Sequence, residues 1–243
     1  MEYAAGVKSF GGGRIVLEAP PAAVRELVER QAKTVRLIVP DPDKITPQQR
    51  NKIFALVSDI ADYASGVRRG DKRRQREVLC ALQLSYLIDT SDHEAVRERL
   101  TYHYCQLCGV DLFSLSERSP DAVSKSIAGD FIDWLVELCI TCGVPCADTL
   151  LNRCEDVTRY LYACVMHRTC AVCGKPADIH EWDRVGMGRD RDTIHHAGQR
   201  VQPLCRACHG EAHDMGQQTF DELHHITWIR LTEEMCEKLG WKK

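Results

Sequence analysis

Nowhere in the chain do apolar residues run on for the ~18 positions that a helix needs to cross a bilayer, and no internal repeat or low-complexity tract interrupts the 243 residues. The first shortage excludes a helical membrane span, and the second excludes a solenoid. The opening Met1 to Arg14 also lacks the continuous apolar stretch of a secretion signal. Net positive charge is missing as well: the formal charge is −3. The molecule is therefore no polycation, and any nucleic-acid contact must come from local basic patches. A cytoplasmic protein with no membrane partner is expected. What the chain has in excess is cysteine, 13 in all. An odd number without a secretion signal points to a reducing compartment and to thiols that are buried or metal-bound. Apolar residues make up 44% of the chain, enough for a real core in one large or two small domains.

The hydrophobic pattern changes along the chain. Arg14 to Leu17 is β-prone, Pro20-Pro21 opens a helix from Ala22 to Lys33, and Thr34 to Val39 alternates as a strand until Pro40 stops it. From Thr46 the period becomes helical, with Ile53, Leu56, Val57 and Ile60 on one face, as far as Ser65-Gly66. A basic loop follows, carrying Arg68, Arg69, Lys72, Arg73, Arg74 and Arg76. It reads either as a solubilising loop or as a phosphate-binding patch. Further helices are expected at Val78 to Ile88, from a Ser91/Glu94 capping box to about Cys105, at Pro120 to Cys142, and at Thr149 to His167. After His167 the texture shifts to glycines, paired cysteines and histidines.

Cys170-Ala-Val-Cys173 and Cys205-Arg-Ala-Cys208 are two CxxC pairs. Each presents two thiolates from one tight turn, and together they complete a tetrahedral structural zinc site. Gly174 suits a knuckle turn that needs positive φ. So small a module between the pairs needs a metal staple. Cys105/Cys108 and Cys139/Cys142 allow a second such site, but Cys139 and Cys142 fall in an amphipathic helix, where cysteine serves equally as a small apolar residue. Beside the first framework, His209 and His213 are spaced i, i+4 and share one helix face, and His180 on a strand could close the set. Imidazoles suit a divalent cation that keeps open positions for phosphate and water. The glycine-rich Gly186 to Arg191 segment lacks the Lys-Ser/Thr ending of a P-loop. Arg189, Arg191 and Arg200 read as phosphate contacts or as a solvated turn.

Taken together, Cys170/Cys173, His180-Glu181 and Leu204 to His209 with His213 resemble the HNH nuclease superfamily in its zinc-bearing form. More narrowly, His180 to Arg191 and Pro203 to His213 resemble HNH nucleases of phages and prophages of Gram-positive bacteria. In those proteins the module follows a domain similar to the lambda Orf recombination protein, and Ile45 to Phe54 with Asp59 to Tyr63 resembles that domain's signature. The resemblance implies that His180, His209 and His213 ligate a catalytic divalent ion, magnesium, manganese or another, separate from the structural zinc. It also implies that the residue after His180 is the general base. The superfamily usually has histidine there and this chain has Glu181. Carboxylate is a weaker base at neutral pH, so the proton could instead pass to His195 or His196.

The expectation is thus an α+β chain: a small mixed N-terminal region, a helical middle, and a C-terminal zinc-bound ββα-metal module. Its division is an Orf-like DNA-binding domain at 1–110, a helical connector at 111–168 and the nuclease module at 169–243. The expected activity is metal-dependent DNA endonuclease chemistry in phage-type recombination or replication, with His180, Glu181, His196 and His209 as catalytic residues. The alternative is a non-catalytic single-strand DNA-binding mediator. Expected partners are single-stranded or branched DNA, a single-strand DNA-binding protein, and a second copy of the chain, the last suggested by the resemblance.

Overall fold

The computed structural model describes residues 3, 5–35, 43–64, 92–182 and 196–241. It divides into two compact units, Met1–Asp41 and Pro42–Lys243. In the first, β1 (Gly6–Gly11) pairs antiparallel with β2 (Arg14–Glu18). Between them Gly12 and Gly13 have φ of 58° and 73°. A tight hairpin with the natural strand twist needs this left-handed conformation, which glycine adopts without strain. The reading of Arg14 to Leu17 as a strand holds. β1 was not expected, because its Gly, Lys and Ser residues carry little strand propensity. Helix α1 (Pro21–Glu29) starts with proline in the first turn and stops short of the expected Lys33. Thr34 and Val35 are not in a strand, and the rest of the strand expected there lies outside the described residues.

The second unit is built on helices. α2 (Pro47–Ala64) begins with a reciprocal cap: the Gln49 N–H donates to Thr46 Oγ1 at 3.1 Å, and the Thr46 N–H donates to Gln49 Oε1 at 3.2 Å. Its expected core face, Ile53, Leu56, Val57 and Ile60, is buried. α3 (His93–Cys108) is capped by Asp92, whose carboxylate accepts from the N–H groups of Glu94 and Ala95. This corrects the cap expected at Ser91: aspartate at the adjoining position does the same work, and Ser91 itself lies outside the described residues. The expected helix at Val78 to Ile88 lies outside them too. α4 (Lys125–Cys142) starts after Pro120 because the preceding residues make bridges, Ala122 to Ser114 and Ser124 to Lys44. Ser124 Oγ then caps it by accepting from the Ile127 N–H.

The single helix expected from Thr149 to His167 is two, α5 (Leu150–Arg153) and α6 (Val157–Met166). Buried Asp133 on α4 takes the N–H groups of Glu155 and Asp156, which a continuous helix would use internally. Asp156 then caps α6. Asp59 on α2 is locked to Arg153 by a buried ion pair of 2.6 Å.

The C-terminal part runs β3 (Asp178–Glu181), β4 (Arg200–Leu204), α7 (Arg206–Met215), α8 (Gln217–His224), β5 (Ile229–Arg230) and α9 (Glu233–Leu239). The strands form an antiparallel sheet in the order β3-β4-β5. Successive strand residues face opposite sides. Val201 and Ile229 therefore join the helical core, with Ile179 against it, while Leu204 enters a second core with Cys170, Ala212, Phe220 and Ile226. The architecture is α+β, as expected: helices with small antiparallel sheets. No helix among the described residues is long and apolar enough to cross a membrane.

Candidate metal centre and strand face

The first CxxC pair sits in a tight turn after α6. The Cys170 N–H donates to the Lys175 carbonyl at 2.7 Å and the Gly174 N–H to the Cys170 carbonyl at 2.9 Å, with Gly174 at φ 69°. The second pair is supplied by a helix start: Cys205 is the N-cap of α7, and Cys208 lies in its first turn. The four sulfurs all fall within 4.8 Å of one another. Two separations, Cys173 to Cys205 at 3.5 Å and Cys208 to Cys173 at 3.9 Å, bracket the ~3.8 Å edge of a tetrahedron with metal–sulfur bonds of ~2.3 Å. Burial opposes ionisation of Cys205, but the N–H groups of Cys208 and Ala207 and the neighbouring thiols outweigh it and bring this thiol down to about 7. Burial and the nearby Cys170 hold Cys208 high. One ready thiolate and three further thiols around one point fit a structural zinc.

Cys105, Cys108, Cys139 and Cys142 form no such group among the described residues. Cys105 donates to the Asp111 carbonyl. Cys139 meets Cys146, and burial pushes Cys142 up to about 12. Cys105, Cys139 and Cys142 are part of the apolar core, while Cys108 is exposed.

α7 starts at the cysteine knuckle and so aims its own side chains. His209 Nε2 lies 3.0 Å from His213 Nε2 one turn on. His180 on β3 meets both, with ring centroids 4.2 Å from His209 and 5.5 Å from His213. A ligating nitrogen from each lies within 4.8 Å of the other two. Burial, then the neighbouring imidazoles, lower the pKa values of His180 and His209. Both rings are thereby biased to the neutral form that binds metal. Three converging imidazoles fit a divalent cation with positions to spare.

A polar network behind His180 was not foreseen. His180 Nε2 lies 3.1 Å from Gln217 Oε1. Gln217 Nε2 donates to Gln202 Oε1 at 2.7 Å and to Asp221 Oδ1 at 2.9 Å, and Gln202 Nε2 also donates to Asp221. The Asp221 carboxylate only accepts. It therefore fixes the Gln217 amide with its oxygen toward His180, which keeps a proton on Nε2 and leaves Nδ1 as the free electron pair. Nothing in the CxxC and His pattern signals Gln217 or Asp221, which lie beyond it on α8. Gln202 was legible in principle, since β-pairing sets it opposite His180.

Glu181 does not join the imidazole group. It follows His180 on the strand and faces the other side of the sheet. There its Oε1 lies 3.8 Å from Nδ1 of His196, a buried nitrogen without a hydrogen-bond partner among the described residues, and the His196 ring meets Trp241 at a 43° tilt with centroids 4.8 Å apart. Arg200 lies on the His180 side, over the rings of Trp182 and Trp228. Arg189, Arg191 and His195 lie outside the described residues, as does the whole Arg68 to Arg76 loop with Arg69, Lys72, Arg73 and Arg74. His224, outside this cluster, contacts Glu211 at 3.4 Å.

No curated protein and no solved structure matches the chain. A family model does: that described as "Putative HNHc nuclease" matches residues 73–241, which span the helical middle, the cysteine knuckle, the imidazole cluster and the sheet. The chain belongs to the HNHc nuclease family.

Proposed function

We propose that the protein is a metal-dependent DNA endonuclease that hydrolyses phosphodiesters in phage-type recombination or replication. The observation that carries this is the convergence of His180, His209 and His213 on one point, beside a cysteine group that fixes where their helix begins. The Cys170/Cys173/Cys205/Cys208 group holds a structural zinc in this reading. The imidazoles hold a second divalent ion, magnesium, manganese or another, which supplies positive charge to the phosphate and the leaving 3′ oxygen. Gln217 and Asp221 orient His180. Arg200, with Arg189 and Arg191, holds backbone phosphate. The general base in this reading is Glu181 or His196, which lie 3.8 Å apart on the face of the sheet opposite the imidazoles. The Arg68, Arg69, Lys72, Arg73 and Arg74 loop engages single-stranded or branched DNA within an Orf-like region at 1–110, and the connector at 111–168 joins it to the nuclease module at 169–243. A single-strand DNA-binding protein and a second copy of the chain are further partners in this reading.

One observation favours a second reading. Glu181 faces away from the imidazole cluster, so a mediator that binds DNA without cutting it is the alternative. Cleavage of single-stranded, duplex and junction DNA with magnesium, manganese, nickel or zinc, against a His180→Ala control, separates the two. Metal-dependent cutting by the wild type and none by the control supports the nuclease. Binding without cutting under every ion supports the mediator.

A further inference from the structure

Pairing places Arg200 opposite Arg230 and His180 opposite Gln202. Residues two apart on a strand share a face. His180, Arg200, Gln202 and Arg230 therefore line one side of the sheet, joined by Trp182 just after β3 and Trp228 just before β5, whose rings lie against Arg200; the opposite side is taken up by the helical core. At the end of that side away from α7, two indoles and two guanidinium groups crowd together. The Arg200 guanidinium lies 4.1 Å over the Trp182 ring and 5.0 Å over the Trp228 ring. Arg230 lies 5.3 Å over Trp228, and the two indoles are 6.2 Å apart. The Trp182 indole N–H donates to Asp221 Oδ2 at 3.1 Å, the same carboxylate that orients Gln217 toward His180. Arg230 donates to the Gly198 carbonyl at 2.9 Å.

Residues of this size are usually buried when they serve only to pack. Here Trp182, Arg200 and Trp228 stay half-exposed and Arg230 is exposed. Flat rings with cations held over them offer stacking faces for nucleobases and charge for the phosphates between them. A base inside a duplex has no free face to offer, so the partner that fits is an unpaired strand. Trp182 is two residues from His180, about 7 Å along the strand, which sets the platform next to the imidazole cluster.

We propose that Trp182, Arg200, Trp228 and Arg230 form a stacking platform for an unpaired DNA strand, leading it to the imidazole site. The choice of DNA rests on the nuclease reading above. The platform makes this a site for single-stranded ends, flaps or gaps, with little selection among bases because every base has a stacking face.

The test is binding by the full, zinc-loaded chain, with no other divalent ion, to three probes of equal length: oligothymidylate, a duplex, and a strand of abasic sites. Trp228→Ala is expected to weaken oligothymidylate binding about 5- to 150-fold, as loss of one base–aromatic stack does, and to leave duplex and abasic binding within about 3-fold. Trp228→Phe is expected to keep most of the affinity. Arg230→Ala is expected to lower the salt dependence of binding by about one phosphate contact. Equal losses on all three probes, or none on oligothymidylate, overturn the proposal. Wild-type tryptophan fluorescence gives a check that needs no variant: oligothymidylate quenches it and the abasic strand does not, and equal quenching by both overturns the platform. If base-dependent binding holds while the wild type cuts nothing, the platform stands and the nuclease reading falls. If the wild type cuts while Trp228→Ala binds oligothymidylate normally, the platform falls alone.

Discussion

At the residue scale, the meaning of Glu181 turns on strand alternation. His180-Glu181 looks like a ligand followed by a base, but neighbours on a strand face opposite sides. The structure accordingly gives Glu181 to His196 and His180 to the imidazole cluster. If the Glu181–His196 pair takes the proton, Glu181→Gln and His196→Ala each slow cleavage by ~10²–10⁴ while metal and DNA binding persist. Normal cutting by both variants in a single-turnover assay places the base elsewhere. A second residue-scale prediction concerns stability. Asp59 and Arg153 are both buried and paired at 2.6 Å. Asp59→Ala leaves the guanidinium without its partner and is expected to cost about 3–5 kcal/mol in urea unfolding. A loss under about 1 kcal/mol would mean that water or another group takes over the role. Neither pairing could be read from sequence, because 94 positions separate Asp59 from Arg153 and 15 separate Glu181 from His196.

At the element scale, the site was the most legible part of the chain. Two CxxC turns and an i, i+4 histidine pair encode their chemistry in local spacing, and the structure brings each set together. Boundaries shaped by tertiary contacts were hidden. The break between α5 and α6 depends on Asp133 from another helix capturing two N–H groups, which no local pattern announces. Strand β1 was hidden by its own composition, its hairpin being carried by the Gly12-Gly13 turn. The Asp156 cap is a local device, and Asp156→Ala is expected to cost roughly 0.5–2 kcal/mol by denaturant titration. No change would assign the break wholly to Asp133. The knuckle is the larger dependency. α7 starts at Cys205, and the second core includes three of the four cysteines. Cys205→Ser is expected to abolish zinc in elemental analysis and to scatter His209 and His213. Zinc retained at wild-type level would exclude Cys205 as a ligand.

At the scale of the whole molecule, the sheet faces two ways. One side seals the helical core through Val201 and Ile229. The other carries the imidazole site and the aromatic–arginine cluster. Net charge could not reveal this, since a chain at −3 concentrates its cations locally. The basic loop is the second such concentration. Neutralising Arg68, Arg69, Arg73 and Arg74 together is expected to weaken DNA binding at low salt and flatten its salt dependence by up to about four phosphate contacts. An unchanged slope would show that the loop does not touch DNA. Nuclease activity in the proposed reading depends on an ion held by His180, His209 and His213. The most direct test is nicking of supercoiled plasmid by the full chain with added manganese, wild type against His209→Ala. Manganese-dependent nicking by the wild type and its loss in the variant, with zinc content unchanged, are the expected result. Nicking by the variant at the wild-type rate, or none by the wild type with any divalent ion, would contradict it.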